Sequence, residues 1–172
     1  MKQLSFFNHI HDQQFSDDSP LCAYWKLFVD GASRNNPGPS GAGIYVMKND
    51  CVVQSVGYFL GIKTNNQAEY LALVIGLLHM REQMKACDKL MIISDSQLVI
   101  RQLAGEYKVR HEHVKQLHRV AITLLSEMQY TLMHVLRDDN THADHLSNVG
   151  IDTHNNVPAH IVHALKQYGV LL

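Results

Sequence analysis

Short apolar runs at residues 25–29, 42–48 and 52–60 are separated by Gly, Pro, Asn and Asp, and predict three strands. The last two join through a turn at Asn49-Asp50, so the chain is expected to start as an antiparallel meander. The period then changes. Ala68, Leu71, Ala72, Ile75, Leu78 and His79 recur at helical spacing and predict a long amphipathic helix over 66–86. LMIIS at 90–94 is almost wholly apolar, as a buried central strand would be. A helix over 96–103 is expected to end at Gly105, and a third spans 111–129, with Val114, Leu117, Ala121, Leu124 and Leu125 on one face.

Residues 130–136 read as a fifth strand. Asn140 or Thr141 is expected to cap a short helix through Asn148, stopped by Gly150. Val157-Pro158 opens a last helix running to Tyr168 and Gly169. The order β-β-β-α-β-α-α-β-α-α predicts an α/β fold, a mixed sheet with helices on its faces. Residues 1–23 are polar and read as an N-terminal arm, 24–150 as the domain proper, and 151–172 as a C-terminal helical extension. Val157, Ile161, Ala164 and Leu165 give the last helix an apolar stripe for packing on the core.

Composition changes this picture little. With 172 residues, 46% apolar and 18% charged, the chain is expected to be one soluble globular domain. Cys22, Cys51 and Cys87 form no CxxC pair and read as reduced thiols of a cytoplasmic protein. No apolar run suits a signal peptide or a membrane span, and no obligatory protein partner is evident. Net charge is −1, so no overall basic field announces nucleic acid. The local exception is 108–119, with Lys108, Arg110 and Lys115. It reads either as one bank of a phosphate-binding groove or as a solvated helix start. Twelve histidines are scattered without repeated ligand spacing, which argues against metal storage.

The candidate chemistry lies in carboxylates. If LMIIS lies parallel to the first strand, Asp30 and Asp95 occupy equivalent places at adjacent strand ends. Glu69 and Asp144 sit in the first turns of the helices expected after the third and fifth strands. Taken singly, Asp30 reads as a turn start, Asp95 as a helix cap, and Glu69 and Asp144 as first-turn acids. Converged, the four would repel one another and would call for hard cations such as Mg²⁺ or Mn²⁺. Two such ions about 4 Å apart are the clamp used in phosphodiester hydrolysis.

DGASRNNPGPSGAG, TNNQAEYLAL, SDSQLVIRQL and RDDNTHADHLSN resemble, in order and spacing, the four active-site motifs of type I ribonucleases H. The resemblance covers residues 25–150 or so and implies the ribonuclease H-like fold, a five-stranded mixed sheet whose first three strands are antiparallel. It further implies an endonuclease cutting the RNA strand of an RNA–DNA hybrid, leaving 3′-hydroxyl and 5′-phosphate ends. Asp30 would bridge two Mg²⁺ ions, Asp144 would complete one site, and Glu69 and Asp95 would hold the other ion. Gly31, Ser33, Asn36, Asn65 and Gln97 would face the minor-groove sugars and bases. Thr64 and Asn66 would grip a phosphate of the DNA strand.

Three departures from that family stand out. Residues 105–109 run straight into the third helix without a basic handle. The connection 137–141 is short, so His142 is assigned no catalytic role. Asn35 stands where a glycine is common, a position Asn tolerates at positive φ. The competing readings are a non-catalytic module binding hybrid or RNA, and another nuclease on the same scaffold. The full set of four acids argues against the first. The TNN and GASRNNPG elements argue against the second.

Overall fold

The computed structural model describes residues 22–172. Its sheet has five strands in the order β3-β2-β1-β4-β5, formed by β1 (Tyr24–Ser33), β2 (Gly38–Lys48), β3 (Cys51–Lys63), β4 (Lys89–Ser94) and β5 (Gln129–His134). β1, β2 and β3 are antiparallel, whereas β4 is parallel to β1 and to β5. This is the mixed sheet expected from the order of elements. The helices are α1 (Asn65–Gln83), α2 (Gln97–Leu103), α3 (Glu112–Leu125), α4 (Thr141–Thr153) and α5 (Ala159–Gln167). α1 packs on β1 and β2 from one face, with α3 and α5 against it, and α4 lies across β1, β2 and β3 from the other. The core is built from Leu27, Val29, Ile44, Leu60, Leu71, Ile75, Leu78, Leu90 and Ile92, all buried. Burial of this apolar surface is the main force holding the layers together.

Several boundaries differ from expectation, each for a physical reason. β1 does not stop at Asp30. Its parallel ladder with β4 ends at Phe28, paired with Ile93, while its antiparallel ladder with β2 continues from Asp30, paired with Gly43, to Ser33, paired with Ser40. Asp30 is therefore mid-strand toward β2 and beyond the end of the ladder toward β4. Gly150 does not stop α4, which runs on to Thr153 and across the boundary expected at 150. Instead Gly150 brings the helix onto the sheet, since a Cβ there would lie 2.5 Å from the Tyr58 carbonyl oxygen. Left-handed His154, at φ 50°, closes the helix. Asn35 adopts φ 62°.

The thiol expectation needs correction for two of the three cysteines. Cys22 and Cys87 are joined by a disulfide with Cα atoms 5.4 Å apart, and Cys51 is free and exposed. Beside this link, buried Asp88 accepts from Ala23 N at 2.8 Å, Trp25 Nε1 at 2.8 Å and Lys85 N at 3.0 Å. Of the arm expected over 1–23, Cys22 and Ala23 fall among the described residues, and Ala23 is part of the core. The rest lies outside them. At the other end, Val157, Ile161 and Leu165 are buried, so α5 is docked on the core. Among the described residues, no helix is long and apolar enough to cross a membrane.

Candidate active site

Side chains alternate across β1, so Val29 and Gly31 face α1 while Asp30 faces α4. Asp30 is 7% exposed. Its Oδ2 accepts a hydrogen bond of 2.6 Å from Ser147 Oγ on α4. That contact depends on a close approach of helix and sheet. A Cβ at Gly43, opposite Asp30 on β2, would lie 1.9 Å from the Ala143 carbonyl oxygen and 2.6 Å from Ser147 N. Without glycine there, α4 would stand off and Ser147 would lose its reach.

Gly31 brings in the second acid by the same means on the opposite face. A Cβ on Gly31 would lie 2.1 Å from Glu69 N, so α1 abuts β1 at its first turns. Thr64 caps that helix through a capping box with Gln67. The backbone N–H of Gly31 faces the Glu69 carboxyl and lowers its pKa against the effects that raise it. Asp95 follows β4, and its Oδ1 accepts from Asn140 Nδ2 at 2.7 Å. Asp144, in the first turn of α4, is held by Arg137, whose Nε donates to Oδ1 at 3.0 Å and whose Nη2 forms an ion pair with the same oxygen.

Burial and neighbouring charge both act on Asp30 and Glu69. Burial pushes the Asp30 carboxyl up to about 6, with Asp95 and Asp144 adding to it against the pull of Ser147 and Arg137. Glu69 is raised well above the ordinary range, first by burial and then by Asp30 and Asp95. Asp30 thus lies within electrostatic reach of Glu69, Asp95 and Asp144, and Glu69 within reach of Asp95, while Asp144 stands outside the lining of the cleft. The oxygens are hard donors, of the kind that would suit a divalent cation. Asp30, Glu69 and Asp95 line an open cleft with Gly31, Ser33, Arg34, Asn65, Arg137 and Asn148.

Three residues here escaped the reading of the sequence. Asn140 stands at the N-cap of α4 as expected, but its side chain makes no capping bond; it turns inward and is 1% exposed. Its Nδ2 donates to the Val29 carbonyl at 3.1 Å and to Asp95, tying β1 to the end of β4. The helix that Ser96, rather than Asp95, caps begins just beyond. Ser147 lies three residues after Asp144, on the same helical face, which is the signal that would have found it. Arg137 comes from a 3-10 turn at Arg137–Asp139, and nothing in its local sequence marks it. His142 lies outside the cleft and stacks on Tyr45 with centroids 4.6 Å apart.

The remaining predicted contacts divide. Asn36, Thr64 and Asn66 line a second hollow with Gln67, His111, His113 and Val114. Asn36 Oδ1 accepts from Asn65 N at 2.8 Å, which links this hollow to the cleft. Ser33 Oγ is committed to the Lys63 carbonyl at 2.7 Å. Gln97 is exposed at the start of α2 and lines neither concavity. Lys108 and Arg110 are exposed and line neither concavity, and Lys115 pairs with Glu112 at 2.5 Å.

A family model described as reverse transcriptase-like matches residues 28–150. The bifunctional protein Rv2228c of Mycobacterium tuberculosis is 36% identical over 128 residues, 72% of this chain. The chain spans 34% of that relative's length. Ribonuclease HI of Halobacterium salinarum is 35% identical over 73% of this chain and 63% of its own. Among solved structures, RNase H1 of Halobacterium salinarum superposes with a TM-score of 0.72 at 33% identity, over 76% of this chain and 98% of that one. LC11-RNase H1, solved in complex with an RNA/DNA hybrid, gives 0.68 at 28% identity, over 76% and 97%. With that family model, these relatives and a matching sheet, the chain belongs to the type I ribonuclease H family.

Proposed function

We propose that the protein is a metal-dependent endonuclease that hydrolyses the RNA strand of RNA–DNA hybrids, leaving 5′-phosphate and 3′-hydroxyl ends. The observation that carries this reading is the buried Asp30 carboxyl, raised to about 6 among Glu69, Asp95 and Asp144 at the edge of an open cleft. A fold gains nothing from such crowding unless cations are to bind there. Asp30, Glu69, Asp95 and Asp144 would hold two Mg²⁺ or Mn²⁺ ions. When bound, such ions ease deprotonation of the attacking water and stabilise charge on the leaving oxygen.

The other residues position and select. Ser147 fixes the carboxylate of Asp30, and Asn140 fixes that of Asp95. Arg137 offsets part of the negative charge before cations arrive. The 2′-hydroxyl separates RNA from DNA, and a wide, shallow minor groove presents it to protein. Gly31, Ser33, Asn36, Asn65 and Gln97 are the proposed readers of that groove. Thr64 and Asn66, in the adjoining hollow, are the proposed grip on the DNA backbone, with Lys108, Arg110 and Lys115 as further phosphate contacts. The likeness to LC11-RNase H1, which binds a hybrid, supports this substrate over a four-way junction or duplex DNA. Cytoplasmic residence loses one support, because Cys22 and Cys87 are paired rather than reduced.

The test presents labelled RNA–DNA hybrid, duplex RNA, duplex DNA and a four-way junction, with and without Mg²⁺ or Mn²⁺. Cleavage of RNA in the hybrid alone is expected, abolished by Asp30→Asn while hybrid binding survives. Equal cutting of duplex DNA, or binding without cutting under either metal, would overturn the proposal. Replacing Lys108, Arg110 and Lys115 with Ala should weaken hybrid binding and flatten its salt dependence.

A further inference from the structure

A second cluster of ligand-type side chains lies at the other end of α1. His79 and Glu82, three residues apart on one helical face, meet His160 at the start of α5. One ligand atom from each lies within 4.8 Å of the other two. Ten residues of helix separate Glu69 from His79, roughly 15 Å along the axis, so this cluster is distinct from the carboxylate cleft. We propose that His79, Glu82 and His160 form a binding site for a transition-metal dication, Zn²⁺, that clips α5 to α1.

The donor set points to that chemistry. Two imidazoles and one carboxylate suit zinc, whereas the cleft offers oxygens alone and suits harder ions. His160 Nε2 and Glu82 Oε2 stand 3.6 Å apart. Zinc–nitrogen bonds of roughly 2.0–2.1 Å place neighbouring tetrahedral ligands roughly 3.4 Å from each other, so this pair is already near a ligand spacing. Both side chains are about half exposed and can close the remaining gap by rotation. His79 is the fixed member. It is 7% exposed, and Tyr58 Oη lies 3.3 Å from its Nε2 in a near-parallel ring arrangement. Such a hydroxyl is the kind of outer partner that orients a metal-binding imidazole. Burial also lowers the pKa of His79, which keeps the ring neutral and able to ligate at neutral pH.

An ion pair alone accounts for less. A contact between His160 and Glu82 engages only two of the three groups and leaves the His79 ring, 6.3 Å from that of His160 between centroids, outside it. A dication between the three groups engages all of them. Glu82 supplies the negative charge.

The test uses the full chain and Co²⁺ as a spectroscopic stand-in for Zn²⁺, since a low-coordinate site with nitrogen ligands absorbs strongly in the visible and an all-oxygen six-coordinate site hardly does. One equivalent of Co²⁺ should develop visible bands that Zn²⁺ displaces and excess Mg²⁺ does not. Zn²⁺ should raise the thermal midpoint by several degrees. His160→Ala and Glu82→Gln, both surface changes, should abolish the bands and the shift while leaving the metal-free midpoint and Mg²⁺-dependent hybrid cleavage unchanged. Absent bands would overturn the site. Bands or a Zn²⁺ shift that persist in His160→Ala would place binding elsewhere and overturn it equally.

Discussion

Ser147 Oγ donates to Asp30 Oδ2 across 2.6 Å, joining two residues 117 apart in sequence. The same hydroxyl lies 2.8 Å from the Asp144 carbonyl. One proton serves both acceptors, so the bond to Asp30 competes best when Asp30 is ionised. Ser147→Ala removes the contact that most lowers Asp30's pKa. The acid limb of the Mg²⁺-dependent activity profile should move to higher pH, with about 1–2 kcal/mol of stability lost. A pH–rate series on the variant checks this. An unmoved limb would mean that Ser147 acts on packing alone.

Asp30→Asn should eliminate cleavage yet stabilise the metal-free fold. The folded carboxyl titrates at about 6 against an ordinary value of 3.8. The unfolded chain therefore ionises first as pH rises, and the native state is penalised increasingly between about pH 4 and pH 6. Above that window the penalty is constant, of order 2–3 kcal/mol. Urea unfolding without divalent ions should show the variant more stable by up to that amount at pH 7. Near pH 3, where both states are protonated, the two proteins should coincide.

Asn140→Asp tests the inward-turned asparagine. Both bonds from Nδ2, to Val29 O and to Asp95 Oδ1, become contacts between acceptors. A buried negative charge is added beside Asp95 as well. A loss of about 3–5 kcal/mol is expected at pH 7, partly recovered at low pH as the new carboxyl takes a proton. Asn140→Ala should cost about 1–3 kcal/mol with little pH dependence. Chemical denaturation at the two pH values separates these outcomes.

Asp88 shows the opposite linkage. Burial alone would raise its carboxyl, but bonds from Ala23 N, Lys85 N and Trp25 Nε1 and the charge of Lys48 hold it below the ordinary range. Its contribution is present above pH 4 and is lost as pH falls through the depressed folded value. Asp88→Asn should cost about 2 kcal/mol at pH 7 and much less near pH 2. An equal cost at both would show that the charge is irrelevant there.

Much of this was legible in local pattern. Alternation and the apolar run LMIIS marked the strands, and helical spacing marked α1 and α3, because each element buries a face with its own period. The four acids were legible by their places, at a strand–strand junction and in first helical turns. Gly150 and the side chain of Asn140, though not its place at the N-cap, misled for one reason. Glycine past a helical run usually ends it, and asparagine before one usually caps it. Here the demands of another layer prevail: the backbone of Tyr58 excludes any side chain at Gly150, and Asp95 captures Asn140.

The sequence by itself determined the strand and helix order and the mixed sheet, and singled out four candidate acids, since periodicity and motif spacing are properties of the chain alone. Only the tertiary structure decided what surrounds them. Ser147 on Asp30, Arg137 on Asp144, Asn140 on Asp95, and the meeting of His79, Glu82 and His160 all join separate elements. Such pairs depend on how closely helix and sheet approach, and glycines at 31, 43 and 150 set that distance. The burial that raises the Asp30 carboxyl to about 6, and the hydrogen bonds that hold Asp88 low despite its burial, are properties of the packed layers and have no local signature.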